Sequence, residues 1–304
     1  MNRKNIKKII NFAISIVIIL FIIFKTDFLS DIKNTASISN VINSSERLEV
    51  TGDLNVYFID VGQADCIYIN QGDYNMLIDA GNNKDGEKLV NYFKSLNIKK
   101  FNYVVATHPH EDHIGGMDDI INNFKIDEFY MPDKLSTSKT FEDVLDALSN
   151  NNLNYYAPQK GESFSLGDAK FKVIYSGDDT NDINDSSIIL KMTYGSNSFL
   201  FTGDATSNVE KIILNEDIES DVLKVAHHGS DYSSTEEFLD KVSPKYAVIS
   251  VGENNSYNHP SSSTLDKLNK RNIKLYRTDL NGTIIFTSDG KNINVETIKT
   301  DTNG

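Results

Sequence analysis

The segment that most constrains this chain is residues 107–113, which read THPHEDH. It contains three of the six histidines of the 304-residue chain, together with two acidic residues. The strand-like run FNYVVAT leads into it, and Gly115-Gly116 follows and allows a close backbone approach. Imidazole and carboxylate together suit zinc, iron and manganese. The pattern predicts a metal site at the end of a buried strand; the alternative is a surface loop that gathers histidines by chance.

The N-terminal segment, residues 1–25, has the character of a membrane anchor or a signal segment. Four basic residues precede a largely apolar run at 9–24, and Lys25 follows it. A helix of that length extends about 24 Å, slightly less than a roughly 30 Å hydrocarbon core. The basic flank favours a cytoplasmic N-terminus. We expect one transmembrane helix and a single-pass cell-membrane protein whose C-terminal domain is extracytoplasmic; secretion after cleavage is the alternative.

The remainder of the chain divides into a linker and a folded domain. Residues 26–52 are polar and aperiodic, which predicts a linker, and residues 53–304 are predicted to form one domain. Residues 26–304 contain 25 basic and 43 acidic residues and therefore carry a formal charge of −18. Such a body repels polyanions at long range, which argues against a broad nucleic-acid-binding surface.

Strand-like patterns dominate both halves of the predicted domain. Examples are NVYFIDVG, YNMLIDAG, SSIILKMTYG and PKYAVISVG, while GEKLVNYFKSL and KTFEDVLDALSNN have helical spacing. Strands with helices between some of them indicate two packed sheets with helices outside. The fold class predicted from this pattern is α+β.

The histidine motif resembles the His-x-His-x-Asp-His signature of the metallo-β-lactamase superfamily. That resemblance implies an αββα sandwich with a metal site at one edge. The chain is more closely similar to the soluble domain of ComEC-type competence proteins. The shared motifs occur in order over residues 54–290 and read FIDVGQADC, THPHEDHIGG, TGDA, KVAHHGS and VGENNSYNHP. This set is specific for fold and metal, and less specific for substrate.

The resemblance implies two divalent metal ions, zinc or manganese. His108 and His110 would hold the first ion, and Asp204 would bridge the two ions. Many superfamily members place a further histidine ligand before the bridging aspartate. Here no histidine lies between His113 and Asp204, where NDSSIIL stands instead. We therefore expect the first ion to be weakly held or exchangeable.

The second ion would be held by Asp112, His113 and one of the paired histidines. Alternate residues of a strand face opposite sides, so His227 and His228 are expected to have different roles. We favour His227 as the ligand, with His228 donating a hydrogen bond to a bound anion.

Three further roles are predicted around the metals. Asp112 could also hold the nucleophile, because a divalent metal generates hydroxide near neutral pH. His259 is the candidate to assist the leaving oxygen or to contact a phosphate, and a surface histidine is the alternative. Asp79 is expected to orient a ligand histidine, with a turn-forming aspartate as the alternative. Asp60, Gln63 and Asp65 either shape the floor of the site or satisfy a turn.

These features predict a membrane-anchored, extracytoplasmic, metal-dependent hydrolase. The leading hypothesis is a ComEC-like phosphodiesterase or nuclease that acts on a phosphodiester or small anionic substrate, with extracellular DNA as one candidate. Alternatives are a cell-wall phosphocholine esterase, a lactonase or β-lactamase, and a non-enzymatic, metal-stabilised surface binding protein. The sequence identifies no protein partner, no oligomeric state and no particular metal.

Overall fold

Two β-sheets carry the fold of this computed structural model, which describes residues 54–177 and 181–299. The predicted anchor at 1–25 and the predicted linker at 26–52 lie outside the described residues, as does the predicted boundary at 53. Across the part of the chain that is described, no helix is both long enough and apolar enough to span a bilayer. The described residues belong to one compact unit, Thr51–Gly304.

The strands and helices are numbered in chain order over the described residues. The strands are β1 Leu54–Phe58, β2 Ile67–Gln71, β3 Tyr74–Ile78, β4 Lys100–Val105, β5 Lys125–Tyr130, β6 Tyr155–Tyr156, β7 Ser163–Leu166, β8 Ala169–Tyr175, β9 Ile189–Tyr194, β10 Asn197–Phe201, β11 Val222–Lys224, β12 Tyr246–Ile249, β13 Lys274–Arg277, β14 Thr283–Ser288 and β15 Ile293–Ile298. The α-helices are α1 Gly86–Ser95, α2 Glu111–Ile114, α3 Met117–Asn123, α4 Lys139–Asn150, α5 Ser207–Ile213, α6 Glu236–Val242, α7 Ser262–Lys270 and α8 Thr278–Asn281. Short 3-10 turns lie at Asn83–Asp85, Asn184–Ser186 and Ala226–Gly229.

Each sheet combines antiparallel and parallel pairing. The first has the order β15-β14-β1-β2-β3-β4-β5-β6 and the second the order β13-β12-β11-β10-β9-β8-β7. Strands β3, β4 and β5 run parallel, as do β10, β11, β12 and β13. Parallel neighbours end at the same edge, which brings the segments that follow them together.

The apolar core lies in three layers that follow from strand alternation. Alternate residues of the strands, such as Met76 and Phe199, fill the space between the sheets. Leu77, one residue from Met76, faces the other way and packs with Phe93 of helix α1. On the far side of the second sheet, Leu200 packs with Phe238 of helix α6. The predicted mixed α/β fold with two packed sheets is therefore confirmed.

The histidine-bearing loop is held by close backbone packing. A Cβ atom on Gly115 would lie 2.2 Å from the backbone of Asn82, and one on Gly116 would lie 2.6 Å from the carbonyl oxygen of Ala80. Any side chain would force the two loops apart. The expected close approach at Gly115-Gly116 is thus made to residues 80–83, which follow β3.

Candidate metal centre

The site is assembled from segments that follow the carboxyl ends of β3, β4, β10 and β11. Asp79 follows β3, His108 follows the end of β4 by three residues, and Asp204 follows β10 by the same interval. His227 and His228 come three and four residues after the end of β11. These residues, contributed by both sheets, therefore meet at one end of the two-sheet sandwich.

Asp79 orients the side chains that the first sheet contributes to the site. Its φ is 59°, a left-handed conformation that non-glycine residues rarely adopt. Its carboxylate accepts hydrogen bonds from the backbone N–H of Thr107 at 2.8 Å and from Thr107 Oγ1 at 2.7 Å. His113 Nδ1 lies 2.8 Å from Asp79 Oδ2, so the Nε2 atom of His113 is directed at the site. Asp79 lies where the predicted orienting role requires it.

His108 and His110 face each other as alternating residues of the loop. Nε2 of His108 lies 3.1 Å from Nδ1 of His110. His108 is fully buried, and its Nδ1 lies 3.2 Å from Thr107 Oγ1 and 3.4 Å from Ser187 Oγ. Ser187 belongs to the NDSSIIL segment, and its hydroxyl also accepts from the backbone N–H of Asp204 at 3.1 Å. The segment that lacks a histidine thus supplies a hydroxyl beside His108.

Asp204 lies at the centre of the cluster. Its Oδ2 atom is 3.3 Å from His113 Nε2 and 3.5 Å from His228 Nε2. Asp112 Oδ2 lies 3.3 Å from the same His228 nitrogen. His228 is oriented from behind, where its Nδ1 lies 2.8 Å from the carbonyl oxygen of Ser250. Three groups of side chains among the described residues can therefore hold an ion, namely His108, His113 and Asp204; Asp112, His113 and His228; and Asp65, Asp79 and His113. The predicted ligand His110 belongs to none of them and lies beside His108.

The residues present fit a divalent metal. Nε2 of His113, Nε2 of His228 and Oδ1 of Asp204 are buried and have no hydrogen-bond partner among the described residues. Buried polar atoms are normally satisfied, because leaving one unpaired costs about 1–3 kcal/mol. Imidazole nitrogens and carboxylate oxygens that converge without hydrogen bonds are the ligand set of such an ion.

The backbone at the paired histidines, His227 and His228, is not that of a strand. Both have left-handed backbones, with φ of 53° at His227 and 52° at His228, so strand alternation does not apply to them. His228 is buried in the cluster. His227 is half-buried, its Nε2 is 4.0 Å from Asp204 Oδ2, and it belongs to none of the three ligand groups among the described residues. The choice of His227 as ligand stays a prediction, and the geometry favours His228.

His259 lies beside the cluster and not within it. Its ring centroid is 5.6 Å from that of His227, and Tyr257 stacks on its other side at 5.8 Å. Burial and the neighbouring His227 and His228 lower its pKa. A neutral His259 near the mouth of the site is compatible with its predicted contact to a substrate.

The charges of the metal-free site are set by burial and by its neighbours. Burial opposes protonation of His113, but the carboxylates of Asp204 and Asp79 prevail and raise its pKa well above the usual range. Burial and the neighbouring His113 lower the pKa of His108. Burial also opposes ionisation of Asp204, but His113 and His228 prevail and hold its pKa well below the usual range. The cluster therefore contains ionised carboxylate beside protonated imidazole, and a metal would take the place of protons.

Sequence reasoning missed the buried ion pair beneath the cluster. Lys224, at the end of β11, is completely shielded from solvent and makes a salt bridge with the buried Asp65. Its Nζ also donates to the carbonyl oxygen of Gly203 at 3.3 Å and lies 3.9 Å from Asp204 Oδ1. Asp65 in turn lies 3.6 Å from His228 Nδ1. The signal was a lysine inside the apolar run VLKVA, where a charge is costly unless it is paired.

Only part of the early FIDVGQADC segment contributes to the floor of the site. Asp65 belongs to the buried network, whereas Asp60 is exposed and accepts from the N–H of Gly62 at 3.1 Å. Gln63 Oε1 accepts from the N–H of Gly252 at 3.1 Å and ties this segment to the loop after β12. Of the two roles left open, Asp65 takes the floor and Asp60 takes the turn.

Comparison with known proteins agrees with this geometry. The sequence model of the metallo-beta-lactamase superfamily matches residues 59–253. The chain belongs to the metallo-β-lactamase superfamily. The match includes all the clustered histidines and carboxylates described above, and the predicted metal-dependent hydrolase is confirmed at this level.

Two curated relatives are competence proteins. ComE operon protein 3 of Bacillus subtilis is 32% identical over 252 residues, which cover 76% of this chain and 32% of that protein. Competence protein ComA of Neisseria gonorrhoeae is 27% identical over 238 residues, which cover 75% of this chain and 31% of that protein. The chain spans about a third of the length of these relatives. The similarity to ComEC-type proteins is thus confirmed for the domain that they share.

Solved structures support the fold alone. The metallo-beta-lactamase fold protein YhfI from Bacillus subtilis has a TM-score of 0.52 at 13% identity, covering 74% of this chain and 95% of that one. CmlA, a diiron beta-hydroxylase from Streptomyces venezuelae, has a TM-score of 0.53 at 13% identity, covering 81% of this chain and 54% of that one.

Proposed function

We propose that this metallo-β-lactamase superfamily hydrolase is a phosphodiesterase of the ComEC-like type that uses two divalent ions, zinc or manganese. The observation that carries the proposal is the convergence of Asp204 Oδ2 with the Nε2 atoms of His113 and His228, at 3.3 and 3.5 Å. Both nitrogens are buried and have no hydrogen-bond partner among the described residues. The phosphodiester substrate class is what the resemblance of the motifs to ComEC-type proteins implies.

The proposed role of each site residue follows from its position. His108 and Asp204, with the adjacent His110, would hold one ion, and Asp112, His113 and His228 would hold the other. Bound divalent metal supplies an acidified water near neutral pH and polarises a phosphoryl oxygen. Asp112, which is partly exposed, would also orient the attacking water in this proposal.

The mouth of the site carries the substrate contacts in this proposal. His227 and His259 face each other across 5.6 Å between ring centroids, and neither is fully buried. A neutral His259 accepts a hydrogen bond or, once protonated, donates a proton to a leaving oxygen. His227 takes the anion-contacting role that the sequence prediction gave to its neighbour, because His228 points at the buried ligands.

The proposed cellular setting follows from the N-terminal segment. Residues 1–25 would anchor the protein in the membrane with the hydrolase domain outside the cytoplasm. Extracellular DNA is a candidate substrate, but the formal charge of −18 on residues 26–304 favours a short phosphodiester over a long duplex.

Substrate class is tested by turnover of the purified full-length chain loaded with zinc or manganese. We expect bis-p-nitrophenyl phosphate to be hydrolysed, and a chromogenic lactone and a chromogenic cephalosporin to react at least tenfold more slowly. Asp112→Asn should lower kcat at least about 100-fold, whereas Asp118→Asn, at a half-buried acid in helix α3, should retain activity. Preferential turnover of the lactone or cephalosporin would overturn the phosphodiesterase assignment.

A further inference from the structure

A cavity of about 310 Å³ lies on the outer face of strands β7, β8 and β9 of the second sheet. On β8, Phe171 and Val173 point inward and fill the space between the two sheets. Lys170 and Lys172 alternate with them and therefore belong to the outer face. Among the described residues, none that lines the cavity belongs to a candidate ligand group. The cavity is thus a feature separate from the metal centre.

Three lysines from two neighbouring strands line this cavity. Lys172 of β8 lies directly opposite Lys191 of β9. Lys170 lies opposite Thr193, two positions farther along the same pair of strands. Like charges that face each other across a strand pair destabilise a sheet, and this chain carries a formal charge of −13 overall. A local excess of positive charge therefore runs against the composition, and an anion between the lysines would relieve their repulsion.

Acidic side chains neutralise only one of the three lysines by direct contact. Lys191 Nζ donates to Asp217 Oδ1 at 2.8 Å, whereas Lys170 and Lys172 make no salt bridge with any residue that the structure describes. The side chain of Lys191 is 10% exposed and that of Asp217 is 75% exposed. The lysine is therefore the fixed partner, and the aspartate is free to turn towards solvent when an anion enters.

The positive field of the lysines extends to the acids at the border of the cavity. The hydrogen bond from Lys191 lowers the pKa of Asp217, and the hydrogen bond from Lys160 lowers the pKa of Glu216. The charge of Lys172 adds to both effects without a salt bridge to either acid. An anion that enters the cavity would experience the same attraction.

Hydroxyl groups alternate with the lysines on the walls. Ser163 and Ser165 of β7 lie opposite Lys172 and Lys170, respectively, and Thr193 lies on β9. Ammonium and hydroxyl groups both donate hydrogen bonds, and phosphate oxygens accept several at once. An apolar or cationic occupant would leave these donors without acceptors, so the walls favour an anion that is rich in oxygen.

We propose that this cavity binds a diphosphate or triphosphate anion, with one phosphate between Lys172 and Lys191 and the next at Lys170. Residues two apart on a strand are separated by about 7 Å, so Lys170 and Lys172 are two anchors that a single phosphate does not fill. The inference goes beyond the proposed phosphodiesterase function and does not depend on it.

A small anion fits this face better than a long polyanion. Asp168 lies two residues before Lys170, in the turn between β7 and β8, and Glu216 directly precedes Asp217. A chain of phosphates that extended beyond the cavity would approach these carboxylates and be repelled. The oligophosphate is therefore expected to end within the cavity.

The first test is titration calorimetry of pyrophosphate with the chelator-treated, full-length chain, in which the anion cannot bind through a metal ion. We expect one pyrophosphate to bind per chain, and inorganic phosphate to bind more weakly. Lys172→Gln should weaken pyrophosphate binding at least tenfold, because a hydrogen bond between two charged groups is lost. Asp217→Asn should strengthen binding about threefold, because it removes the exposed carboxylate that competes for Lys191.

The matched control is Lys274→Gln, at a lysine on β13 of the same sheet, outside the cavity lining. It should leave the affinity unchanged. The absence of pyrophosphate binding, or an equal loss in Lys274→Gln and Lys172→Gln, would overturn the proposal. Tighter binding of a short oligothymidylate that Lys172→Gln abolishes would overturn it in favour of a nucleic-acid strand.

Two triphosphates distinguish a free oligophosphate from one that a nucleotide carries. Inorganic triphosphate and adenosine triphosphate are titrated under the same conditions. Tighter binding of either one, lost in Lys172→Gln, supports the cavity and identifies the source of the phosphates. Equal affinity for both supports recognition of the phosphates alone.

Thermal unfolding separates loss of binding from loss of folding. Pyrophosphate should raise the unfolding midpoint of the unsubstituted chain, because it binds the folded state. Lys172→Gln should raise the midpoint of the anion-free chain slightly, since it removes the repulsion with Lys191, and should reduce the rise that pyrophosphate causes. A lower midpoint for anion-free Lys172→Gln would show that the lysines do not repel each other and would remove the basis for the proposal.

Discussion

Replacing Lys224 by methionine tests whether the buried ion pair supports the metal centre. Methionine keeps an unbranched, mostly apolar chain but removes the charge that pairs with Asp65. Both side chains are at most 1% exposed, so water cannot replace the lost partner. The substitution also removes the hydrogen bond to Gly203 and the cation 3.9 Å from Asp204 Oδ1.

The expected loss of stability is large because Asp65, a buried carboxylate, is left without its lysine partner. Breaking a buried pair by removing one partner costs about 3–5 kcal/mol. We expect the free energy of unfolding of the metal-free, full-length chain to fall by that amount in urea titrations followed by circular dichroism. The control is Lys245→Met, which breaks a 2.8 Å salt bridge to Asp221 from a lysine that is 73% exposed. Exposed pairs contribute about 0–1 kcal/mol.

A second variant checks the cause of the loss. Adding Asp65→Asn to Lys224→Met removes both charges, so most of the lost stability should return. If Lys224→Met costs no more than Lys245→Met, the buried pair does not stabilise the site as argued. If adding Asp65→Asn lowers the free energy of unfolding further, the unpaired carboxylate is not the cause of the loss.

Three further predictions concern metal binding, each measured as affinity by competition with a chromogenic chelator. Asp79→Asn should weaken zinc binding about 10–100-fold, because Asp79 orients His113 through the 2.8 Å contact to Nδ1; unchanged affinity would contradict that role. His228→Ala should weaken binding at least tenfold and His227→Ala much less, and the reverse order would restore His227 as the ligand. Zinc affinity should fall as the pH falls, because the raised pKa values of His113 and His228 mean that protons compete with the metal for both side chains. Calorimetry in buffers of different ionisation enthalpy should show that protons are released when zinc binds. If no protons are released, protons do not compete with the metal for these histidines.

The sequence predicted the parts of the site that depend on local chain order. The motif at 107–113 follows β4, and Asp79 and Asp204 each follow a strand. Because the carboxyl ends of neighbouring parallel strands share an edge, Asp79 and the 107–113 motif lie together at the end of the first sheet. Packing of the second sheet against the first then brings Asp204 to them. The apolar alternation that places Met76 and Leu77 on opposite faces follows from the same period of two.

Other features depend on long-range contacts that no local pattern contains. The roles of the two adjacent histidines are set by left-handed backbone at both positions, whereas the sequence argument assumed a strand. Lys224 and Asp65 are far apart in the chain and pair only because β11 and the segment after β1 meet below the cluster. The cavity lined by Asn184, Asn208 and Tyr232 likewise forms only because the loop near Asn184 lies beside the start of helix α5. Pairing and cavity shape therefore had to come from the three-dimensional structure.

The most direct test of a metal-dependent phosphodiesterase is a titration of the chelator-treated, full-length chain with zinc or manganese. Bound metal is measured by mass spectrometry and hydrolysis of bis-p-nitrophenyl phosphate is measured in the same samples. Activity should be absent without metal, rise with bound metal towards two ions per chain, and be lost in Asp204→Asn. Full metal loading without hydrolysis, or hydrolysis that persists in the metal-free chain, would contradict the assignment.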